Sequence, residues 1–408
     1  MTVVGESLDL EVGAVALGGP SVVLVTVHGI GFEQPAVIGG IRGYADALHE
    51  HLQEVLPELG DDPNRPEGGP VYVCSEVDSS QRQGLSRLFA GQALAGSGDV
   101  AHVALVYVKS EGRDPRLGPV LETLSRGAIS RHRYATLRGL AKLLAADGWS
   151  AVRHKGSSEP SSLAPRVDQL SPYGPRHKGD AFTSSPSLAE VVRALMLDIA
   201  TYIEVNAIRE RVRRFVQSAL LALLDREEVQ MLVINAHSQG TVVCWDVLCR
   251  MPFDEWRRTG DRRARMLCQL VTAGSPIRKY IDLVAWGERV GELAALFDQQ
   301  APLTRWSNFY DPRDPVGDPL DPARAWRIGK SPAGARARDL GLLVARDPEG
   351  RVADWHVSVL DKPVDNVANS SGGGLRAHNY WDNREEFVPA LATILRSCKA
   401  PEHPTSLA

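Results

Sequence analysis

The sequence predicts an α/β protein with a mostly parallel central sheet flanked by helices. Three observations carry that expectation. Short apolar runs alternate with longer amphipathic segments along most of the chain, the pattern of strands joined by helical crossovers. The first of them, Ser21 to Val27, is a short β-branched run, as expected for a strand buried on both faces. Turn-forming polar and glycine residues close nearly every run.

Ser21 to Val27 (SVVLVTV) reads as the first strand, and Val71–Val77, His102–Val108, Met231–Ala236, Met266–Ala273, Trp306–Tyr310 and Val352–Leu360 read as others. Helical periodicity runs from Ser187 to Leu224, opened by the capping pair Ser187 and Glu190. Leu188, Val191, Val192, Leu195, Ile199, Tyr202 and Ile203 form one apolar stripe. The stripe resumes out of phase at Ile208, Val212, Phe215, Val216, Leu220 and Leu223, so a kink or a new helix is expected near Asn206. Arg209, Arg211, Arg213 and Arg214 fall mainly off this stripe and read as a solvated face.

Residues 110 to 186 read as a helical and loop insertion. Leu117, Val120, Leu121 and Leu124, then Leu137, Leu140, Leu143 and Leu144, are amphipathic, and Gly148 to Pro186 is rich in Ser, Pro and Gly. The segment from 114 to 186 is either a lid or an ordinary packed insertion. The expected organisation is one domain over 1–398 with a loose tail at 399–408.

Composition narrows the function. With 46 basic and 50 acidic residues, the formal charge is −4, which gives no electrostatic reason to expect nucleic acid. Five cysteines without a CxxC pair argue against a disulfide framework or a zinc site and read as small buried hydrophobes. Glu6, Asp9 and Glu11 stand where a signal peptide would carry basic residues. No run approaches a membrane span. A cytoplasmic protein is expected, without cofactor or metal, with peripheral membrane contact and oligomeric state left open.

The sharpest motif is Met231-Leu-Val-Ile-Asn-Ala-His-Ser-Gln-Gly-Thr-Val-Val-Cys-Trp. An apolar strand runs into Ser238, and an apolar helix leaves it toward Arg250. A sharp strand-to-helix turn exposes a serine hydroxyl and needs small residues two positions to either side. Gly240 meets that need, and Ala236 stands where glycine is usual. The following helix N-terminus favours the charge that develops on attack.

On these residues the chain resembles the α/β-hydrolase superfamily, in particular its lipase-like and esterase-like branches. Val25-Thr-Val-His-Gly-Ile-Gly-Phe32 is similar to their oxyanion loop, Thr272-Ala-Gly-Ser-Pro276 to the turn after their sixth strand, and Asn308 to Gly317 to the turn that supplies their acid. The resemblance spans roughly residues 20 to 395 and is specific only around Ser238 and His28. It implies a carboxylic ester hydrolase with Ser238 as nucleophile, a lipid or phospholipid substrate being one form.

The resemblance further implies an oxyanion hole from the N–H groups of Gln239 and Ile30. His28, Gly29 and Gly31 would support that loop, and His237 and Gly240 the nucleophile turn. His28 reads as structural rather than as the base. In this superfamily the order along the chain is Ser, acid, His. His378, between the last strand and a C-terminal helix at Arg384–Ser397, fits the base; His356 lies in a strand pattern and His403 in the tail. Asp314, ahead of Pro315-Val316, fits the acid, with Asp311 as the alternative and Asp318 and Asp321 in the same loop. The plain reading of these Asp-Pro repeats is solvated turn residues. The same triad could serve a thioesterase or amidase, and a non-catalytic binding or regulatory protein could occupy the same scaffold.

Overall fold

The computed structural model describes residues 20–29, 44–75, 84–96, 98–107, 202, 206–248, 250–277, 305–314, 316–320, 359–370 and 376–398. The expected insertion at 114–186, the first half of the long amphipathic segment and the tail at 399–408 lie outside the described residues, as do Asp321, His356 and His403.

The described residues form an open sheet of eight strands: β1 (Val22–Val27), β2 (Leu59–Gly60), β3 (Val71–Cys74), β4 (Val100–Val106), β5 (Met231–His237), β6 (Leu267–Ala273), β7 (Arg305–Tyr310) and β8 (Val359–Pro363). The spatial order is β2-β4-β1-β5-β6-β7-β8, with β3 following β2 along the same edge of β4. Every strand pairing among the described residues is parallel. The α/β class read from the sequence is therefore present.

Helices cover both faces, which is why the strands are apolar without alternation. On one face, Val23, Val25 and Val27 of β1 and Leu232, Ile234 and Ala236 of β5 join a cluster with Val212, Val216 and Leu220. These last belong to α2 (Asn206–Leu224), and α3 (Gln239–Leu248) contributes Val242, Val243 and Trp245 to the same cluster. On the other face, Val22, Leu24 and Val233 pack with Leu48 and Leu52 of α1 (Tyr44–Val55) and with Phe387, Leu391 and Leu395 of α4 (Phe387–Ser397). Burying one such aliphatic side chain contributes about 1.5–3 kcal/mol, so the two layers are the main source of cohesion.

Several boundaries differ from the sequence reading. β4 begins at Val100, two residues early, because it pairs along the full length of β1. The last strand is Val359–Pro363 rather than Val352–Leu360; its register is set by pairing with β7 from Trp306 to Tyr310. The C-terminal helix starts at Phe387 rather than Arg384, after Asn383 is fixed as a buried hydrogen-bonding residue. The arginines of α2 are not simply a solvated face: Arg209, Arg211 and Arg213 are half-buried and only Arg214 is exposed. Cys74, Cys244 and Cys398 are buried, as small apolar residues would be.

Helix α1 carries a buried polar chain. Its stripe Tyr44, Ala45, Leu48, His49 and Leu52 faces inward, and His49 meets His102 of β4 with 3.2 Å between Nδ1 atoms. His102 Nε2 lies 2.7 Å from the hydroxyl of Thr26 on β1. At the other end His49 Nε2 lies 3.0 Å from Asp61. Burial holds both imidazoles below their ordinary pKa, offset at His49 by the Asp61 carboxylate and reinforced at His102 by His49.

β1 lies between β4 and β5, and the strand order runs away from this pair in opposite directions. In open parallel sheets the crevice at the carboxyl ends of such strands is where ligands bind. No helix among the described residues is long and apolar enough to cross a membrane.

Candidate active site

The loops leaving the carboxyl ends of β1, β5, β6, β7 and the segment after β8 converge. Ser238 directly follows β5 and has φ of +53°, the one positive φ of a non-glycine residue among the described residues. Such backbone costs about 1–3 kcal/mol and persists only where the surroundings impose it. Here they do. The Ser238 N–H donates to the Ala273 carbonyl at 2.9 Å, and the Ser238 carbonyl accepts from the Thr241 hydroxyl at 2.7 Å. Thr241 N–H reaches the same carbonyl at 3.0 Å, closing the first turn of α3.

Two glycines let backbones meet at this elbow. A Cβ on Gly29 would fall 2.5 Å from the Ser238 Cβ and 3.0 Å from its Oγ. A Cβ on Gly240 would fall 2.4 Å from the carbonyl oxygens of Val27 and His28. The loop after β1 therefore lies directly against the serine turn. Ala236 is accommodated because it belongs to β5, paired with Val27 and fully buried.

His28 acts as a structural clamp. Its ring stacks on Tyr107 with centroids 4.5 Å apart, its Nδ1 bonds the Gly29 carbonyl, and its own carbonyl accepts from the Tyr107 hydroxyl at 3.0 Å. Gln239 is buried and opens α3, at the helix end where N–H groups lack acceptors within the helix. Ile30 and Gly31 lie outside the described residues.

His378 sits in a short helical turn, Arg376–His378, and the structure joins it to Asp314: Nδ1 lies 2.8 Å from Oδ2. A carboxylate only accepts, so Nδ1 carries the hydrogen and Nε2 of the neutral ring is an acceptor. Nε2 is buried and makes no hydrogen bond among the described residues. Ser238, His378 and Asp314 are 2%, 4% and 0% exposed, so charge interactions between them are little screened.

His237, the neighbour of the serine, binds the His378 segment. Its Nε2–H donates to the His378 carbonyl at 3.1 Å and its ring centroid is 4.5 Å from that of His378. Tyr44 of α1 stacks on His237 at 5.0 Å and Trp381 meets it edge-on at 5.3 Å. Burial, then the facing His378, push the His237 pKa well down, so it stays a neutral donor.

Asp311 and Asp314 share a turn but have different partners. Asp311 Oδ1 accepts from the Arg313 N–H and Oδ2 from the Asn366 N–H, each at 2.8 Å. It therefore ties the β7 turn to the start of the Asn366–Asn369 helical turn. Burial raises its pKa, with Arg313 working against that shift. Asp318 is also buried; its N–H donates to the Ser275 carbonyl and its carbonyl accepts from Asn308, both at 3.0 Å. The plain expectation of solvated carboxylates in this loop is thus corrected: Asp311, Asp314 and Asp318 are fully buried, and the carboxylates of Asp311 and Asp314 are hydrogen-bonded into the turn.

Sequence reasoning gave no role to Tyr380. Its hydroxyl donates to Asp314 Oδ2 at 2.9 Å and accepts from the Asp311 N–H at 2.8 Å. The signal available was an aromatic with a polar tip two residues past the histidine. Gly274 and Gly317 close the packing: a Cβ on Gly274 would lie 2.7 Å from His378 Cε1, and one on Gly317 2.5 Å from Asp314 Oδ2. Among the described residues no group of three His, Cys, Asp or Glu is arranged to hold a metal ion.

Set against known proteins, the chain matches no family model, no curated protein and no solved structure.

Proposed function

We propose that this chain is a serine hydrolase with the α/β-hydrolase fold that cleaves a carboxylic ester through an acyl-enzyme on Ser238. The observation that carries the reading is the buried His378–Asp314 pair at 2.8 Å, whose imidazole packs 4.5 Å between centroids from that of His237, the residue before the strained Ser238. A serine hydroxyl is a weak nucleophile until an imidazole takes its proton, and an imidazole held by a buried carboxylate is suited to do so. The strand order β4-β1-β5-β6-β7-β8, with these side chains all at carboxyl ends, supports the fold assignment.

In this mechanism the Ser238 Oγ bonds to the ester carbonyl carbon while its proton passes to His378 Nε2. Asp314 holds the ring orientation and stabilises the imidazolium. The oxyanion is met by the Gln239 N–H and by that of Ile30. The carbon–oxygen bond to the alcohol then breaks, and the leaving oxygen takes the proton from Nε2. Water, deprotonated by the same nitrogen, releases the acid and restores Ser238. Lipid or phospholipid esters fall within this class, and a cytoplasmic setting belongs to the same proposal.

A fluorophosphonate probe is expected to label the purified full chain at Ser238. Ser238→Ala should abolish both labelling and p-nitrophenyl ester hydrolysis. A folded wild-type protein that is neither labelled nor active would show a binding protein on this scaffold and end the reading. Comparing short esters, long-chain esters, phospholipids and thioesters then ranks the substrates.

A further inference from the structure

We propose that Tyr380 is a positioning residue that sets the pH at which the base works, by donating its hydroxyl hydrogen to the Asp314 oxygen that also accepts from His378. This rests on the hydrolase reading above and adds a regulator of that same site. Both bonds converge on Oδ2, at 2.9 Å from the phenol and 2.8 Å from the imidazole. The other carboxylate oxygen, Oδ1, accepts from the Val316 N–H at 2.9 Å. An acceptor oxygen shared between two donors holds each less strongly than it would hold one alone. The phenol thus tempers how firmly Asp314 stabilises a proton on His378.

The phenol is fixed in this role. It is fully buried, its ring packs edge-on against Phe387 at 6.0 Å, and its oxygen accepts from the Asp311 N–H at 2.8 Å. With that acceptor site filled, its hydrogen is directed to Asp314. Burial, then the charges of Asp314 and Asp311, oppose its ionisation, so the hydrogen stays on the phenol across the working pH range. Gly317 leaves room for the junction, since a Cβ there would stand 3.0 Å from the hydroxyl.

Other titratable groups among the described residues face the base or its partners. His237 faces His378 from the β5 elbow and is held neutral by burial. Asp311 faces Tyr380 from the β7 turn and is engaged by Arg313 and the Asn366 N–H. His28, from the loop after β1, is clamped on Tyr107. The phenol donates to the same oxygen that His378 uses.

The test is the fluorophosphonate labelling rate of the full chain against pH, which reads the serine and its base without knowing the natural substrate. Tyr380→Phe removes one donor from Asp314 and keeps the ring. The acidic limb of the profile should move to higher pH by about half to one unit, since a full unit corresponds to about the net contribution of one typical hydrogen bond. Should the phenylalanine variant fail to fold, 3-fluorotyrosine introduced at position 380 preserves the shape. The more acidic phenol donates more strongly, so the limb should move to lower pH. A purely structural tyrosine would slow labelling at every pH and leave the limb in place, and that result overturns the proposal. Labelled wild type with an unmoved limb rejects Tyr380 alone, whereas unlabelled wild type rejects the hydrolase reading and this proposal together.

Discussion

Two aspartates three positions apart divide the work of one turn. Asp314 points its Oδ2 at His378 and Tyr380, while Asp311 spends its oxygens on Arg313 and the Asn366 N–H. Their substitutions should therefore separate. Asp314→Asn is expected to lower turnover by on the order of 10⁴, because an amide there favours the wrong tautomer of the base. Asp311→Ala should leave turnover within a few-fold and lower stability by about 1–3 kcal/mol, the cost of buried donors left without acceptors. Ester hydrolysis and thermal melts on the two variants check this; if Asp311→Asn is crippling and Asp314→Asn is not, the acid is Asp311. The sequence placed both residues in one Asp-Pro repeat and could not rank them by contacts. The choice depends on which carboxylate the His378 imidazole reaches, a relation across 64 positions.

At the level of elements, the site is made where the loops after β1, β5, β6 and β7 pack closely through Gly29, Gly240, Gly274 and Gly317. In the turn after β6, Gly274 has φ of +60° and faces the His378 ring. Gly274→Ala should cost about 1–2 kcal/mol in backbone strain and also push the base aside. The expected result is a folded protein, by circular dichroism, with turnover reduced at least about tenfold, as small displacements of a catalytic group produce. Retained full activity would show that the base is not held by this contact. Strands β1 and β4 were legible because they are buried along their length, which leaves apolar runs with little alternation to misread, whereas β8, with Leu360 exposed, was placed too early. Helix α1 was not legible, because its inward stripe contains His49 and reads as broken. Tyr380 was missed for a related reason: its importance lies in what its hydroxyl touches, which no spacing rule records.

For the molecule as a whole, the buried imidazoles make stability depend on pH. His49, His102 and His237 all have folded-state pKa values below the ordinary one near 6.5. The unfolded chain therefore binds more protons once pH falls below about 6.5, and stability declines as acidity rises through that window and down to the folded values. Each imidazole the folded state keeps neutral contributes a loss of about 1.4 kcal/mol per pH unit there. The midpoint of urea unfolding should be lower at pH 5 than at pH 7; an unchanged or higher midpoint would contradict the burial of these rings. The carboxylate Asp61, whose pKa is lowered by bonds from Gly69, Gln53 and His49 against the effect of burial, acts in the same sense but only below about 4. The chain that links Asp61 to Thr26 also has a direction. Asp61 can only accept, so His49 must donate from Nε2 and accept at Nδ1. His102 must then donate from Nδ1 and accept from the Thr26 hydroxyl at Nε2. Every hydrogen in the series points outward, and a carboxylate on the surface thereby dictates how a hydroxyl turns in the middle of the sheet. A single added proton on His49 would reverse both tautomer and hydroxyl along the line, so the series behaves as one polar switch with two orientations rather than as three separate bonds.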